Sequence, residues 1–559
     1  MRLKNLLLPR LDRPLPLWMI FPVIIVALYA SHISLLRLPY YWDEAGYYIP
    51  AAWDFFRTGS LIPISTLTNA HPPLPSLYLA LWWKISGFYP EVTREAVLLV
   101  AALALLAVWR LAMRLIGSVS VAFWTVLLTG LYPIWFAQSS LAHADIFAAA
   151  CSLWGLVYSL PRRARNPWAA AFWFAAAALS KETAIAIPLT LAALNIGESF
   201  RRSGGARVRL WCEAAWLSSC VLPLAAWYVY HHAKTGFFFG NPEFLRYNAQ
   251  ATLTPLRILA AFGHRALHLT AHMNLFVPVV MACAATLLPP RPDSEGHDRA
   301  VLGSPVTLRI FSLLFINALL FSVLGGALLT RYLLPMYPLV LLLAAATLYR
   351  RAPYWHGLAL VSAAAFFAGL FINPPYGFAP EDNLAYARVI RMHQAGIAEL
   401  AKLYPGATVL TAWPMSDELR RPELGYVKKP WDVVEIDDFS APQIQRAAQE
   451  SAVYSAALAF STKYDPPALF PWMGEEALDE RYFGLHHDLP PDRIASQLDG
   501  SLEWRRDDMG MWIALIRFNH PVEAGNEITG LRAAADRDLS GRLMDMPLPA
   551  LLDRQSLSF

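Results

Sequence analysis

Charge is scarce in this sequence. Only 16% of its 559 residues are Asp, Glu, Lys or Arg, against 56% hydrophobic, a balance that excludes an ordinary soluble protein of this length. Cysteine is scarcer still: Cys151, Cys212, Cys220 and Cys283 all fall inside apolar runs. They imply no disulfide framework and read as buried free thiols. No small-residue cleavage site follows the first apolar run, which comes after the basic start MRLKNLLLPRLDRP. That run therefore reads as an uncleaved span rather than a signal peptide. The net charge of +4 is weak as a global property, and no nucleic-acid partner is expected. The placement of the charges carries more information than their sum.

What the sequence has is apolar runs of roughly bilayer-crossing length, many bounded by proline. About eleven such spans are expected, near Leu17–Leu36, Ala96–Leu115, Val119–Ala137, Ile146–Leu160, Trp168–Leu179, Ala184–Ile196, Leu210–Tyr230, Leu275–Leu288, Val306–Leu324, Leu333–Tyr349 and Trp355–Ile372. The run Leu74–Phe88 is shorter and reads as a helix at the interface or dipping partway in. With a cytoplasmic N-terminus and Leu74–Phe88 not crossing, RLAMRLIG, PRRARNP, RRSGGARVR, RPDSEGHDR and YRRAP all fall on the cytoplasmic side, as the positive-inside rule asks. If Leu74–Phe88 crossed, every later Arg cluster would face out.

In the first arrangement Asp43, Glu44, His71, the stretch Ser139–Asp145, Ser180–Thr183, the loop Ala233–Asn274 and Arg331 lie outside. So does everything beyond about Asn373. This tail has no spanning run and reads as a small soluble α/β domain, 374–559, behind a polytopic helical domain, 1–373. ATVLTAW, WDVVEID, YSAALAFS and MGMWIALIRF have strand patterns. LAYARVIRMHQAGIAELAKL and PQIQRAAQE have helical ones.

Carboxylates beside a bilayer are costly unless solvated, paired or put to work. Asp43 and Glu44 interrupt YYWDEAGYY, just past the first span. Taken alone, such a pair is a solvated acidic loop. It has company on the same side. Asp145 begins a span, with His143 two residues before it. His71 opens HPPLPSLY, Lys181 and Glu182 break an apolar run, and Arg331 precedes YLLPMYP. One outward cavity explains these residues together: carboxylates as base and orienting group, Lys and Arg for a phosphate, and apolar spans for a lipid tail. GHRALHLTAHMN places His264, His268 and His272 at i, i+4 and i+8 on one helical face. Neighbouring pairs suit a metal, while the bland reading is an amphipathic helix at the headgroups. Aromatics such as GFFF and the Trp residues near span ends read as interfacial belts. Tyr47, Tyr48, His143, Arg246 and Tyr247 remain candidate substrate contacts.

The order and spacing of YYWDEAGYY, HPPLPSLYLALWW with ISGF, SSLAHADIF, LSKET and TRYLLPMYP resemble the bacterial branch of the protein O-mannosyltransferase superfamily, which includes the lipid A aminoarabinose transferases. The resemblance covers Leu17 to Ile372. It implies a membrane-embedded GT-C fold and an enzyme, a glycosyltransferase that moves a hexosyl or pentosyl group. The sugar would pass from a polyprenyl-phosphate donor to a protein, lipid or glycan acceptor outside the cytoplasmic membrane, by inverting attack. It makes Asp43 the candidate base with Glu44 beside it, Asp145 the second acid, and Lys181, Arg331 and His71 the donor-phosphate group. His71 matches the mannosyltransferases, where the aminoarabinose branch has Lys. Glu182 stands where Gly is commoner in the family. A divalent metal is allowed for but not required. A transporter or flippase of lipid-linked sugars, or a non-catalytic assembly protein, are the rival readings.

Overall fold

The computed structural model describes residues 16–161, 165–250, 252–292, 296, 298–449, 454–467 and 475–518. The basic start of the chain and the cluster at Arg163 lie outside the described residues. The chain forms two compact units, Met1–Pro374 with Ala379–Ala387, and Pro375–Phe378 with Arg388–Phe559.

The first unit is helical, and each apolar run of the sequence forms helix. Among the described residues, three helices are long and apolar enough to cross a membrane: Pro90–Leu115, Gly204–Thr235 taken as one, and Ser304–Val323. The pair Pro255–Asn274 and Phe276–Ala285, bent by 99°, brings the number to four if counted as one span. Leu17–His32, Val119–Leu131, Ala144–Ser159, Pro167–Ser180 and Trp355–Gly369 are shorter apolar helices.

Several expected spans are broken where proline dictates. The run Val119–Ala137 divides into Val119–Leu131 and Pro133–Gln138, with Tyr132 extended at φ −59°, ψ 124°, because a residue before proline avoids the α region. The run Leu210–Tyr230 lies within Gly204–Ser218 and Val221–Thr235. These are parted at Ser219 and Cys220, just before Pro223, which cannot donate to the ladder. Helix Leu74–Ser86 has 13 residues, about 20 Å of rise, short of the ~30 Å hydrocarbon layer.

Helix Pro90–Leu115 is the hub. Sixteen of its 26 residues are buried, against Leu17–His32, Leu74–Ser86, Val119–Leu131 and Ala144–Ser159. Its first turns fix two aromatics by their polar tips: Trp83 Nε1 donates to Thr93 Oγ1 at 2.9 Å, and Tyr40 Oη lies 2.7 Å from the same oxygen. Helices Ala144–Ser159 and Pro167–Ser180 form a close hairpin. A Cβ at Gly155 would stand 2.5 Å from the Phe174 ring, so only glycine permits this approach. In a hairpin the start of one helix lies beside the end of the next, which brings Asp145 and Lys181 to the same end.

Two expectations need correction. Of the thiols, Cys220 is buried, but Cys212 and Cys283 are exposed on the faces of apolar helices and Cys151 is intermediate. Among hydrophobic side chains a lipid-facing helix surface is as ready a place for a thiol as a core. The three histidines do not share one helical face either. Helix Pro255–Thr270 ends before His272, so the three do not lie on one helix, although the His268 and His272 rings still meet with centroids 5.2 Å apart.

The second unit holds a five-stranded sheet of β1 (Val409–Ala412), β2 (Val433–Ile436), β3 (Ala456–Phe460), β4 (Gly500–Asp508) and β5 (Met511–Phe518), in the order β2-β1-β3-β5-β4. β1 runs parallel to β2 and β3, while β5 is antiparallel to β3 and β4. β3 is buried throughout, and β5 nearly so. β2 and β4 are the edges, and the charged sequence WRRDD of β4 suits an edge strand. Helix Ala385–Leu403 packs on the sheet where Gly396 meets Ile513 and Leu458.

Candidate active site

The ionisable residues singled out in the sequence lie in connections between helices. Asp43 follows Leu17–His32, and Asp145 is in the first turn of Ala144–Ser159. Lys181 caps the end of Pro167–Ser180, and Arg331 stands in the 3₁₀ turn Thr330–Leu333. The structure brings these four together, with Arg331 at the centre. Its Nη2 pairs with Asp43 Oδ2 and its Nη1 with Glu381 Oε1, and its Nε lies 3.3 Å from Asp145 Oδ2. Lys181 Nζ donates to Asp145 Oδ1 at 2.6 Å and stands 4.0 Å from the centre of the Tyr332 ring. Burial works against the charge on Arg331, but Glu381, Asp43 and Asp145 outweigh it and hold the guanidinium protonated well above its ordinary range.

Within this group Asp43 is set apart by access. Its side chain is 27% exposed, against 3% for Asp145 and 4% for Glu381. Glu44 does not join the group. It is fully buried, and both its oxygens are engaged: by Arg94 at 3.0 and 3.1 Å, by the Ala142 N–H at 2.6 Å and by the Tyr41 N–H at 3.0 Å.

Aromatic and histidine side chains line one side. His71 Nδ1 lies 3.1 Å from Glu182 Oε2. Burial would raise the Glu182 carboxyl, but His71 and then Lys181 hold it below its usual range. The His71 ring packs edge-on to Tyr47 and stacks on Tyr48, with centroids at 5.3 and 5.8 Å. Tyr48 also reaches His143, at 5.8 Å. Burial above all, then the charge of Asp145, raises the Tyr48 hydroxyl well above its usual value, so this phenol stays protonated. His71 thus stands beside Glu182 and the tyrosines rather than against Arg331.

Tyr247 sits in the turn Arg246–Gln250. Its ring occupies the space over Gly326, where a Cβ would come within 2.1 Å. Asn248 ties that turn to Gly325 and Gly326 through the Gly325 N–H at 2.8 Å and the Gly326 N–H at 3.3 Å. Arg246 takes no part in these contacts among the described residues. His272 Nε2 lies 2.9 Å from Asp382 Oδ2. Among the described residues no group of three or more His, Cys, Asp or Glu is placed to hold a metal ion.

Three residues central to this arrangement escaped the sequence reading. Arg94 lies at the very start of an apolar helix, where it passes for a flanking charge. Tyr332 is adjacent to Arg331 and would have been found by asking what stacks on the cations. Glu381 lies in PED, a triplet typical of an ordinary loop after the last apolar run.

Comparison with known proteins agrees with this architecture. Residues 70–228 match the family model described as "Dolichyl-phosphate-mannose-protein mannosyltransferase". No curated protein matches the chain. Among solved structures, the fold is similar to that of ArnT from Cupriavidus metallidurans in the apo state, at TM-score 0.50 and 14% identity, covering 89% of this chain and 97% of that one. The same protein bound to undecaprenyl phosphate is similar at TM-score 0.51, again at 14% identity and with coverage of 89% and 97%. The chain therefore has the GT-C fold, and its segment 70–228 matches the mannosyltransferase family model.

Proposed function

We propose that this protein is a membrane glycosyltransferase that moves a hexosyl or pentosyl group from a polyprenyl-phosphate donor to an acceptor at the outer face of the cytoplasmic membrane. The observation that carries this reading is the Arg331 cluster. Two cations, Lys181 and Arg331, lie beside three acids, at helix ends rather than at mid-helix. A transporter would place such groups on broken helices at the membrane centre. The neighbouring apolar helices suit a polyprenyl tail, and the similar ArnT structure bound to undecaprenyl phosphate supports the choice of carrier.

The chemistry follows from the side chains. The acceptor hydroxyl attacks the anomeric carbon from the face opposite the phosphate and inverts it. Asp43, the exposed acid, takes the hydroxyl proton. The bond from the anomeric carbon to the phosphate oxygen breaks, and its electron pair stays on the lipid phosphate. Lys181 and Arg331 stabilise the charge that develops there. Asp145 holds Lys181 in place until the phosphate arrives, and His71 with Tyr47 and Tyr48 forms the wall beside the sugar. The second unit, Pro375–Phe378 with Arg388–Phe559, is on this reading an extracytoplasmic domain.

The test is to incubate the purified protein in lipid with a panel of polyprenyl-phosphate sugars and follow each by mass spectrometry. Consumption of one donor with release of the lipid phosphate is expected. Translocation of an intact lipid-linked sugar, with none consumed, would replace the enzyme by a transporter.

A further inference from the structure

Glu381 has no task in the reaction above, yet it is as central as the residues that do. It lies in the short turn Pro380–Asp382 with Oε1 against Arg331. Its other oxygen, Oε2, has no hydrogen-bond partner, and neither has His143 Nε2, 3.9 Å away. Two buried polar atoms that face each other unbonded are costly, and the neighbouring Gln138 indicates how the cost is avoided.

The Gln138 amide nitrogen donates to the Glu381 backbone carbonyl at 3.5 Å, so its amide oxygen is the atom 2.9 Å from His143 Nδ1. An amide oxygen only accepts, which places the imidazole proton on Nδ1. Burial first, then Arg331, Lys181 and Arg94, hold this imidazole well below its ordinary pKa. His143 is therefore neutral, and its Nε2 is a bare acceptor. An ionised Glu381 would aim a lone pair at that lone pair. A protonated Glu381 turns an O–H toward it across 3.9 Å, a favourable orientation in place of a repulsive one, while Oε1 goes on accepting from Arg331.

The charge balance points the same way. Arg331 and Lys181 face Asp43, Asp145 and Glu381. The other nearby acids are bonded elsewhere: Asp382 to His272 and Thr330, Glu182 to His71, and Glu44 to Arg94. With all three central acids ionised, the two cations paired with them would be outnumbered, and Arg265, the third cation at the Tyr332 ring, is bonded to the backbone carbonyls of Phe321 and Leu329 instead. Glu381 is faced by Arg331, by Gln138 and His143 from a second segment, by Asp145 and by Asp43, with Asp382 in its own turn. Burial foremost, and then the charges of Asp43, Asp382 and Asp145, push its carboxyl up to about 8 against the pull of Arg331.

We propose that Glu381 is held as a neutral carboxylic acid between His143 Nε2 and Arg331, and that this neutral state admits the phosphodiester of the donor to the Lys181–Arg331 pair. Ionised, Glu381 competes with the phosphate for the same guanidinium. It is a positioning residue whose protonation sets donor affinity, and this role rests on the donor-phosphate reading of the site. The sign follows directly: below its pKa Glu381 is neutral and the anion binds, and above it the acid ionises and the anion is expelled.

The probe is the methyl phosphodiester of a short polyprenol, whose single charge is constant across the range tested. Wild-type affinity should fall about tenfold from about pH 7 to about pH 9, as expected for a site that must be protonated. In Glu381→Gln the amide keeps an N–H for His143 and a carbonyl for Arg331 but cannot ionise, so its affinity should be flat over the same range. A fall of equal size in Glu381→Gln overturns the proposal. Difference infrared spectra give a reading that needs neither turnover nor a stable variant. Wild-type protein with isotope-labelled glutamate should show a protonated carboxyl band near pH 7 that disappears toward pH 9, and a labelled band absent near pH 7 overturns the neutral acid. Failure of the probe to bind at both pH values overturns the role in donor admission together with the donor reading, while the infrared band decides the protonation of Glu381 by itself.

Discussion

Asp43 and Glu44 are adjacent in the chain, and each meets a buried arginine, but the two arginines are used differently. Arg94 is closed. Its five N–H groups go to Leu38 O, Ser140 O, Pro39 O and the two oxygens of Glu44, which exhausts a guanidinium. Arg331 is open. It is shared among three acids, its Nε has no hydrogen-bond partner, and one of its acids reaches solvent. A saturated buried pair defines where chain segments meet: Glu44 and Arg94 bind the segment after the first helix to the segment before Ala144. An unsaturated one leaves capacity for a ligand. Adjacent carboxylates in a membrane protein are therefore not two copies of one role.

The sharpest way to break this comparison is to neutralise each acid without changing its shape. Asp43→Asn is expected to leave the protein folded and able to bind donor, with transfer slowed about 10²–10⁴-fold. Turnover at saturating donor, with donor binding measured separately, checks it, and near-normal turnover would reject Asp43 as the base. Asp145→Asn serves as the contrast. Asp145 is buried against Lys181, so its loss should appear mainly as weaker donor binding. If instead Asp145→Asn abolishes turnover at saturating donor, Asp145 is the base.

On the closed side the expected loss is in folding. Glu44→Gln leaves Arg94 buried without a counter-charge, and breaking such a pair costs about 3–5 kcal/mol. Denaturant unfolding in detergent should show this, while turnover per folded molecule falls less than in Asp43→Asn. Equal stability of Glu44→Gln and wild type would mean that the Arg94 pair does not organise this region.

Between these extremes lie the cations. Lys181→Ala and Arg331→Ala each remove a charge-assisted contact to phosphate worth roughly 1.5–3 kcal/mol, or about a tenfold to hundredfold loss in donor use. Acceptor dependence should change less. Unchanged donor dependence in both variants would move the phosphate elsewhere.

The helices were legible because an apolar run has few alternatives to helix in a membrane. Asp43, Asp145, Lys181 and Arg331 were legible as a group because ionisable residues at the ends of apolar runs stand out against so little charge. What stayed hidden depended on distant partners. Nothing local to Glu44 announces Arg94, 50 residues on, so the acidic pair read as one feature. Glu381 looked like loop solvation until Arg331, 50 residues earlier, was placed against it. The helix breaks at Tyr132 and before Pro223 were written in the prolines but masked by hydrophobic runs. In the second unit the apolar strands β3 and β5 were plain from pattern. The edge strand β4 was not, because the charges that protect an edge also remove the strand signature.

The smallest effect concerns the ring between the cations. Lys181 Nζ stands 4.0 Å from the centre of the Tyr332 ring, and the Arg331 and Arg265 guanidinium carbons stand 5.8 and 5.7 Å away. Three cations around one ring would repel each other without the negative π face between them. In the closed site Arg94 has a ring partner too, Tyr40 at 5.9 Å, but five hydrogen bonds already fix its place. The Lys181 ammonium has one hydrogen bond among the described residues, to Asp145, and depends on the ring for the rest. Tyr332→Leu should therefore weaken donor use by about 0.5–2 kcal/mol, roughly twofold to thirtyfold, through loss of the Lys181 position. Tyr332→Phe keeps the π face and loses only the hydroxyl, so it should retain most of that affinity. Donor KM for the two variants decides the point. If Phe and Leu are equally impaired, the hydroxyl rather than the ring orders the cations, and the contrast between an arginine fixed by hydrogen bonds and a lysine fixed by a π face fails.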